Sequence, residues 1–216
     1  MTSKRPAFIY LASQSPRRSQ LLDQLGVPHQ LLLPDAGEDT ESIETWLQGE
    51  SPVRYVRRVT ALKLDAAMAR LARRGLAPAP VLCSDTTVAL GSVIYGKPTD
   101  ARDAMRMLRE LSGANHRVLT AVSLQHGASR LHALSTSRVT FACLTPAQIK
   151  SYVASGEPMG KAGAYAVQGR AAAFISHISG SYSGIMGLPM FETAQLLREV
   201  GFRVESSHTM PSATQP

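Results

Sequence analysis

The feature that most restricts how this chain can fold is an apolar run, Val81–Leu90, with one carboxylate at its centre. Apolar and β-branched residues with a few small hydroxyl side chains are typical of a buried strand. An ionised carboxylate inside such a strand is costly unless it is paired or bound to a metal ion. The run therefore predicts a strand in the core of the protein, and the position of Asp85 is better explained by chemistry than by packing.

A strand followed by a capped helix begins the chain. Residues 8–12 are apolar and strand-like, and Ser15 as N-cap with Pro16 at the first helical position predicts a helix directly after them. The first turn of a helix has unpaired N–H groups and the positive end of the macrodipole, and here it also carries Arg17 and Arg18. We expect an anion such as a phosphate chain to balance this charge; a solvated basic turn is the alternative.

Capping residues and hydrophobic periodicity predict the remaining elements. Strands are expected at 29–33, 93–95, 116–125, 129–144 and 171–178, and helices at 53–74, 101–111, 147–154 and 190–200. A flexible turn at 180–184 is expected between the last strand and the last helix. Residues 205–216 are rich in Ser, Thr and Pro and are expected to be disordered.

The composition is typical of a soluble globular protein, with 44% hydrophobic and 18% charged residues among 216. The net charge of +7 indicates an anionic partner and leaves nucleotide, nucleic acid and acidic lipid headgroups open. No run approaches the roughly 18 continuous apolar residues of a membrane span, and residues 1–7 do not resemble a signal peptide. Cys83 and Cys143 lie in strand-like runs without metal-site spacing, so both are expected to be buried free thiols in the cytoplasm.

Residues 35–41 form an acidic loop in a basic protein. One interpretation is a solvated turn, and the other is a set of oxygen ligands for a divalent metal such as Mg²⁺ or Mn²⁺. Glu38 is the candidate from this loop. Glu38 and Asp85 would then be a pair of carboxylates in different surroundings, with Glu38 on a loop and Asp85 on a strand.

Lysine is rare in this chain, where arginine supplies most of the positive charge. Lys63, Lys97 and Lys161 are candidates for phosphate contacts, because the ammonium group is a compact, strongly hydrated charge. Lys161 lies in a loop, 156–169, whose small residues let the backbone approach a ligand closely. The same loop contains Gln168, which can both donate and accept hydrogen bonds at the edge of a base.

Together these residues provide donors for a polyphosphate, carboxylate ligands for a metal and a carboxylate able to accept a proton from water. Such groups are the components needed for attack on a phosphoanhydride. The chain has no Gly-x-x-x-x-Gly-Lys-Ser/Thr loop, which excludes P-loop chemistry. It also has no Gly-x-Gly-x-x-Gly after the first strand, which argues against a dinucleotide-binding fold.

Several short motifs, individually weak, occur in a specific order along the chain. They are Ser-Gln-Ser-Pro-Arg-Arg at 13–18, Ser-Asp-Thr at 84–86, Gly-Lys-Pro at 96–98, Leu-Ser-Gly at 111–113, Lys-Ala-Gly-Ala-Tyr at 161–165, Gln-Gly at 168–169 and Gly-Leu-Pro at 187–189. In this order the chain resembles the Maf family of nucleoside-triphosphate pyrophosphatases over about 8–200. The resemblance implies a two-lobed α/β fold, formed by residues 1–204, with a mixed, strongly bent sheet flanked by helices and a cleft between the lobes.

The resemblance also implies a reaction, the hydrolysis of a nucleoside triphosphate to the monophosphate and pyrophosphate with a divalent metal, Mg²⁺ or Mn²⁺. Asp85 matches the family's proton acceptor. Arg17, Thr86 and Gln168 stand where members differ by substrate, and these residue types are similar to those of the branch that acts on dTTP and UTP. For such a protein the resemblance allows a role in removing non-standard pyrimidine nucleotides, and it allows a homodimer.

Two positions depart from the family pattern. Gly37 and Gly160 stand where the family usually has acidic residues, directly before Glu38 and Lys161. The first departure bears on metal binding in the acidic loop, and the second removes a partner from Lys161. Neither involves Asp85.

The resulting hypothesis gives each candidate a role. Substrate contacts are expected from Ser13, Arg17, Arg18, Lys63, Thr86, Lys161 and Gln168. Lys97 is expected to neutralise charge during the reaction, Glu38 and Asp85 to hold the metal, and Asp85 to deprotonate the attacking water.

Two other functions stay open at this point. One is the same reaction on 7-methyl-GTP, although its cationic base would suit a glutamate better than the neutral Gln168. The other is a non-catalytic protein that binds nucleic acid or regulates cell division through its positive charge. Against the latter, the sequence contains no helix-turn-helix, zinc-finger or aromatic RNA-reading motif.

Overall fold

The computed structural model describes residues 6–38 and 42–204, which form both strands and helices. In chain order the elements are β1 Ile9–Leu11, α1 Pro16–Gln24, β2 His29–Leu31, α2 Pro52–Arg73, β3 Val81–Leu90, β4 Val93–Tyr95, α3 Ala101–Leu111, β5 Asn115–His126, β6 Ser129–Phe141, α4 Pro146–Ala154, β7 Ile175–Ser179, α5 Tyr182–Met186 and α6 Met190–Glu199. Short 3-10 turns lie at Ser42–Glu44, Ala162–Ala164 and Arg170–Phe174. The expected α/β architecture, with a mixed sheet flanked by helices, is confirmed.

The sheet has seven strands in the order β2-β1-β3-β5-β6-β7, with β4 pairing to β3. β1 is parallel to β2 and β3, whereas β3, β4, β5, β6 and β7 pair antiparallel. One edge of β3 is paired to β5 from Val81 to Ala89. On its other edge β1 pairs with Val81 and Leu82, and β4 with 88–90. Among the described residues, 83–87 therefore have no strand partner on that edge, and the sheet is open beside Asp85.

Side chains along β3 alternate between two helical layers, as a strand requires. Val81 and Cys83 pack in a cluster with Leu64 and Ala67 of α2, whereas Leu82 packs with residues of α1 and α6. Asp85 is an even number of residues from Val81 and Cys83 along the strand, so its side chain lies on the same face of the sheet and points toward the α2 layer. Its neighbours on either side face the opposite layer.

Apolar clusters lie at both ends of β3. One contains Val88 together with buried residues of α3 and α4, and the other contains Leu82 with residues of β1, α1 and α6. Each fully buried large side chain in such a cluster contributes about 1.5–3 kcal/mol. The open stretch of the sheet lies between the two clusters. This arrangement is in keeping with the expected two lobes of residues 1–204, a division that stays a prediction.

Most predicted helix starts are confirmed by their caps. The Ser51 hydroxyl accepts from Arg54 N–H, Asp100 accepts from Asp103 N–H, and Thr145 forms a capping box with Gln148. Such caps satisfy N–H groups that the first helical turn leaves unpaired.

Three predictions of local structure are wrong. Residues 170–174 form a 3-10 turn and only Ile175–Ser179 is a strand, because the alanines at 171–173 lack the β-branched side chains that favour strands. The turn expected at 180–184 overlaps the short helix α5, whose N-cap Ser181 accepts from Gly184 N–H. Cys143 is exposed, since β6 ends at Phe141 and not at 144, whereas Cys83 is buried as expected.

Some predictions lie outside the described residues. These are the disordered tail at 205–216 and part of the acidic loop, residues 39–41. No helix within residues 6–38 and 42–204 is both long and apolar enough to cross a membrane.

Candidate active site

A cleft of about 520 Å³ opens at the gap in the sheet. Its wall combines the first turn of α1, the centre of β3, one side of α2, the segment 160–167 and the end of α5. The charged side chains in the wall are Arg17, Arg18, Glu44, Lys63, Arg70, Asp85, Lys97 and Lys161. Cations outnumber carboxylates in this list, so the cleft is suited to a polyanion.

The cleft gathers most of the residues singled out in the sequence. Ser13, Arg17, Arg18, Lys63, Asp85, Thr86, Lys97 and Lys161 all line it. Glu38 and Gln168 are not among its lining residues. Gln168 is exposed and directly follows Val167, which does line the cleft.

The two arginines of α1 are held by backbone carbonyls at the C-terminal end of α5. Arg17 Nε donates to Met186 O at 3.2 Å, and Arg18 Nε donates to Gly187 O at 2.8 Å. Arg18 Nη1 also donates to Ser13 Oγ at 2.9 Å. Burial lowers the pKa of both guanidinium groups, and neither forms an ion pair within the described part of the chain. Partly desolvated arginines without a carboxylate partner are well suited to a phosphate.

The Gly-Leu-Pro motif has a structural role at this point. Gly187 has a φ of 122°, which favours glycine, and its carbonyl accepts from both Arg18 and Ser84 Oγ, the latter at 2.9 Å. A single carbonyl therefore joins the start of α1 to the centre of β3. It fixes the distance between the cationic turn and the strand that carries Asp85.

Asp85 and a second carboxylate, Glu44, are joined by one ammonium group. Lys63 Nζ on α2 donates to Asp85 Oδ1 at 2.6 Å and to Glu44 Oε1 at 2.7 Å. Lys97 Nζ donates to Glu44 Oε2 at 3.1 Å. Lys97 is thus connected to Asp85 through Glu44 and Lys63 and does not bind Asp85 directly.

The opposite charges in this arrangement favour the ionised forms of Lys63 and Glu44. Burial alone would lower the pKa of Lys63, but the Asp85 and Glu44 carboxylates raise it above its ordinary value. Burial alone would raise the pKa of Glu44, but the two lysine ammonium groups lower it. Asp85 Oδ2 has no hydrogen-bond partner in the described ranges, so this oxygen is left for a ligand or water.

Glu44 was not identified from the sequence. It is one of several acidic residues between 35 and 50, and nothing in its spacing distinguishes it. Its position comes from tertiary contacts, since Tyr55 OH donates to Glu44 O at 2.8 Å and Arg58 Nη2 donates to Thr45 O at 2.8 Å. Arg58 is itself held by Glu50 through two hydrogen bonds of 2.7 and 2.8 Å.

Glu38 serves a different contact. Arg70 Nε and Nη2 donate to its two carboxylate oxygens at 3.0 and 2.5 Å, and Arg70 Nη1 donates to Leu32 O at 2.8 Å. The hydrogen bonds from Arg70 lower the pKa of Glu38. Arg70 is only 3% exposed, so it ties the acidic loop firmly to α2. The geometry does not favour a catalytic or metal-binding role for Glu38, which stays an untested prediction.

The hydrogen-bonding role of the Thr86 hydroxyl is fixed by its neighbour, Thr120. Its Oγ1 lies 3.0 Å from Thr120 Oγ1, and Thr120 Oγ1 donates to Gly184 O at 2.7 Å. Because the single hydroxyl hydrogen of Thr120 is used by Gly184, Thr86 must donate to Thr120. Thr86 can then offer only an acceptor to a ligand in the cleft.

The described residues contain no group of three or more His, Cys, Asp or Glu side chains arranged to hold a metal ion. Mg²⁺ commonly takes only one or two carboxylates and completes its shell with water and substrate phosphates. The pair formed by Asp85 and Glu44 fits that donor set. Glu38 fits it less well, because it binds Arg70 and is not among the residues that line the cleft.

A family description, Maf-like protein, matches residues 8–200. The chain therefore belongs to the Maf family, as the order of its short motifs indicated. It is 71% identical to a protein named dTTP/UTP pyrophosphatase from Albidiferax ferrireducens over 197 residues, which cover 91% of this chain and 98% of that protein. A protein of the same name from Polaromonas sp. shows the same identity and coverage. Another, from Cupriavidus metallidurans, is 64% identical over 195 residues, 90% of this chain and 98% of its own.

Proposed function

We propose that this chain is a hydrolase that converts dTTP and UTP to the nucleoside monophosphate and pyrophosphate. The observation that carries the proposal is the cleft, where Arg17 and Arg18 form no ion pair with any described residue and share the lining with a carboxylate on the central strand. The names of the relatives at 64–71% identity support this choice of substrates. The expectations of a cytoplasmic location and of a homodimer stay predictions.

In the proposed reaction a water molecule attacks the α-phosphorus. A bond forms between the water oxygen and phosphorus, the bond from phosphorus to the oxygen that bridges to the β-phosphate breaks, and pyrophosphate leaves. Asp85 accepts the water proton through Oδ2, because Lys63 occupies Oδ1. Arg17 and Arg18 stabilise the negative charge of the transition state as hydrogen-bond donors already in position.

The expected divalent metal, Mg²⁺ or Mn²⁺, would be held by Asp85 and Glu44. When bound, it would neutralise charge on the phosphate oxygens. Lys63 holds the two carboxylates close together, and Lys63 and Lys97 lower the pKa of Glu44. Glu44 thus takes the place that the sequence had suggested for Glu38.

Choice of base is proposed to depend on three positions. Thr86 offers an acceptor, which suits the N3–H donor shared by thymine and uracil. Gln168 can donate and accept, and it lies next to the cleft residue Val167. Arg17, which also lines the cleft, completes the set. Lys161 is proposed as a further phosphate contact, and its pKa is lowered by burial and by Arg17.

A nucleotide panel tests the proposal. The protein would be incubated with dTTP, UTP, dCTP, GTP, ATP and 7-methyl-GTP, with Mg²⁺ or Mn²⁺, and pyrophosphate release would be measured. We expect dTTP and UTP to be turned over fastest and only when a divalent metal is present. Preference for 7-methyl-GTP would favour the other branch of the family. Salt-dependent DNA binding without hydrolysis of any nucleotide would favour the non-catalytic alternative.

A further inference from the structure

The backbone conformation at Gly169 does not require a glycine, but a close contact with a neighbouring side chain does. Its φ is −102°, which any residue can adopt. A Cβ atom built at this position would lie 2.2 Å from Glu157 Oε1 and 2.6 Å from Glu157 Cδ. The absence of a side chain at 169 is therefore explained by the carboxylate of Glu157, which occupies that space.

Glu157 connects the two ends of the loop that it begins. Its Oε2 accepts from Arg170 N–H at 3.1 Å, and its Oε1 accepts from Tyr152 OH of α4 at 2.9 Å. Its backbone carbonyl accepts from Lys161 Nζ at 2.5 Å. One residue thus holds the end of the loop, the helix before the loop and the lysine that enters the cleft.

The middle of the same loop is fixed to the core by other contacts. Gly163 lies against Val88, since a Cβ there would come within 2.9 Å of the valine methyl groups. Tyr165 is buried, and its hydroxyl lies 2.9 Å from His116 Nε2. With its middle and both ends fixed, the loop presents Lys161 and Val167 to the cleft in one arrangement.

We propose that Glu157 is a positioning residue for nucleotide binding, which closes the loop 157–170 and so sets where Lys161 and Val167 meet the substrate. This inference rests on the proposed function for the identity of the ligand. Asp85 and Glu44 lie on other elements and have no hydrogen bond to this loop within the described residues. Loss of Glu157 should therefore weaken nucleotide binding and leave the chemical step almost unchanged.

The test compares Glu157→Ala, Glu157→Gln and Gly169→Ala in the full chain. Glu157→Ala should raise KM for dTTP about tenfold, the effect of losing a charge-assisted hydrogen bond, with kcat within about twofold. Glu157→Gln should behave as wild type, because its amide oxygen can accept from Arg170 N–H while its NH₂ group donates to Tyr152. Glu199→Ala, which removes an exposed carboxylate on α6, is the matched control and should have no effect.

Gly169→Ala should also raise KM, because the new methyl group displaces the Glu157 carboxylate. The decisive comparison is the double variant of Glu157→Ala with Gly169→Ala, which should be no worse than Glu157→Ala alone since the clashing group is gone. The proposal would be overturned if the double variant raised KM by the product of the two single-variant increases. A fall in kcat with unchanged KM in Glu157→Ala, or failure of Glu157→Gln to restore KM, would also overturn it.

Hydrogen exchange separates this inference from the proposed function. The Arg170 amide should exchange faster in Glu157→Ala than in wild type, whether or not the protein hydrolyses a nucleotide. Binding of inorganic tripolyphosphate, measured by calorimetry, should weaken in the same variant. If the wild type turns over no nucleotide, the proposed function fails while these two measurements still test Glu157. Unchanged Arg170 exchange or unchanged tripolyphosphate binding would contradict the role of Glu157.

Discussion

The two carboxylates that share Lys63 are held in different ways. Asp85 lies at the centre of β3, where its backbone is paired to Ala121 of β5, and its side chain is 12% exposed. Glu44 lies in a short 3-10 turn without strand pairing, its side chain is 32% exposed, and side chains of α2 hold it in place. A group on a strand of a paired sheet is positioned more precisely than one on a loop. The strand position therefore suits proton transfer, and the loop position suits an adjustable contact to a metal or phosphate.

The largest effect is expected from Asp85→Asn. The amide keeps the size of the side chain but cannot accept the water proton, so kcat for dTTP should fall by about 10² to 10⁴-fold. Pyrophosphate release under saturating substrate measures it, and a thermal unfolding curve near that of wild type shows that the fold is intact. Near wild-type turnover would show that the strand carboxylate is not the base.

A smaller effect is expected from Glu44→Gln, because its proposed role is to support charge and metal binding. We expect about a tenfold loss of activity at low Mg²⁺ that is largely recovered as Mg²⁺ is raised. A titration of rate against Mg²⁺ concentration measures the shift. If raising Mg²⁺ recovers nothing, Glu44 does not act through the metal.

Arg58→Ala tests whether tertiary contacts hold the loop carboxylate. Without Arg58 the carbonyl of Thr45 and the carboxylate of Glu50 lose their partner, and Glu44 should become less well placed. The Mg²⁺ requirement should then rise in the same direction as in Glu44→Gln, by about three- to tenfold. Combining Arg58→Ala with Glu44→Gln should add little further, and full additivity would separate the two residues.

Glu38→Gln is the matched control for Glu44→Gln. Because Glu38 binds Arg70 and not the cleft lysines, its loss should leave the rate and the Mg²⁺ requirement within about twofold of wild type. It should instead lower the free energy of unfolding by about 1–3 kcal/mol, since Arg70 is buried and would lose a charged partner. Urea unfolding measures this change. A large rise in the Mg²⁺ requirement would restore Glu38 as the metal ligand.

The smallest effect concerns pH. Since the pKa of Glu44 is lowered in the folded state, its contacts with Lys63 and Lys97 contribute stability above the unfolded pKa, near 4.5. That contribution is lost as pH falls through the lower folded value. The difference in unfolding free energy between wild type and Glu44→Gln, about 1 kcal/mol or less after solvent screening, should be constant from pH 8 to 5 and vanish at more acidic pH. A difference that persists when the carboxyl is protonated would point to packing.

The difference between the two carboxylates, Asp85 and Glu44, also explains how much of the site could be predicted from the sequence. Asp85 could be identified because its environment is local, an apolar run that makes a carboxylate conspicuous. The cationic turn at Arg17 and Arg18 could also be identified from local sequence, because an N-cap serine and a proline define the start of the helix. Glu44 could not be separated from Glu38, because their roles depend on which residues of α2 they meet, and that is decided only when the loop packs.

Other errors have the same origin. At Arg170–Phe174 the weak strand propensity of the alanines is combined with a long-range contact, since Arg170 N–H donates to the distant Glu157 carboxylate where the turn begins. Lys97 lines the same cleft as Asp85, but the sequence did not show that Glu44 and Lys63 stand between them. Contacts within one element were predictable here, and contacts between loops and helices were not.

The most direct test of the account is whether Asp85 acts on water and not on substrate binding. The α,β-imido analogue of dUTP resists cleavage at the α-phosphate. It can be bound to wild type and to Asp85→Asn at saturating Mg²⁺, so that a weaker metal site does not by itself change the result, and its dissociation constant can be measured by calorimetry. The account predicts dissociation constants within about threefold of each other, although the variant turns over dTTP at least 10²-fold more slowly. A dissociation constant that rises in proportion to the lost kcat/KM would contradict it, because Asp85 would then hold the nucleotide and another group would activate the water.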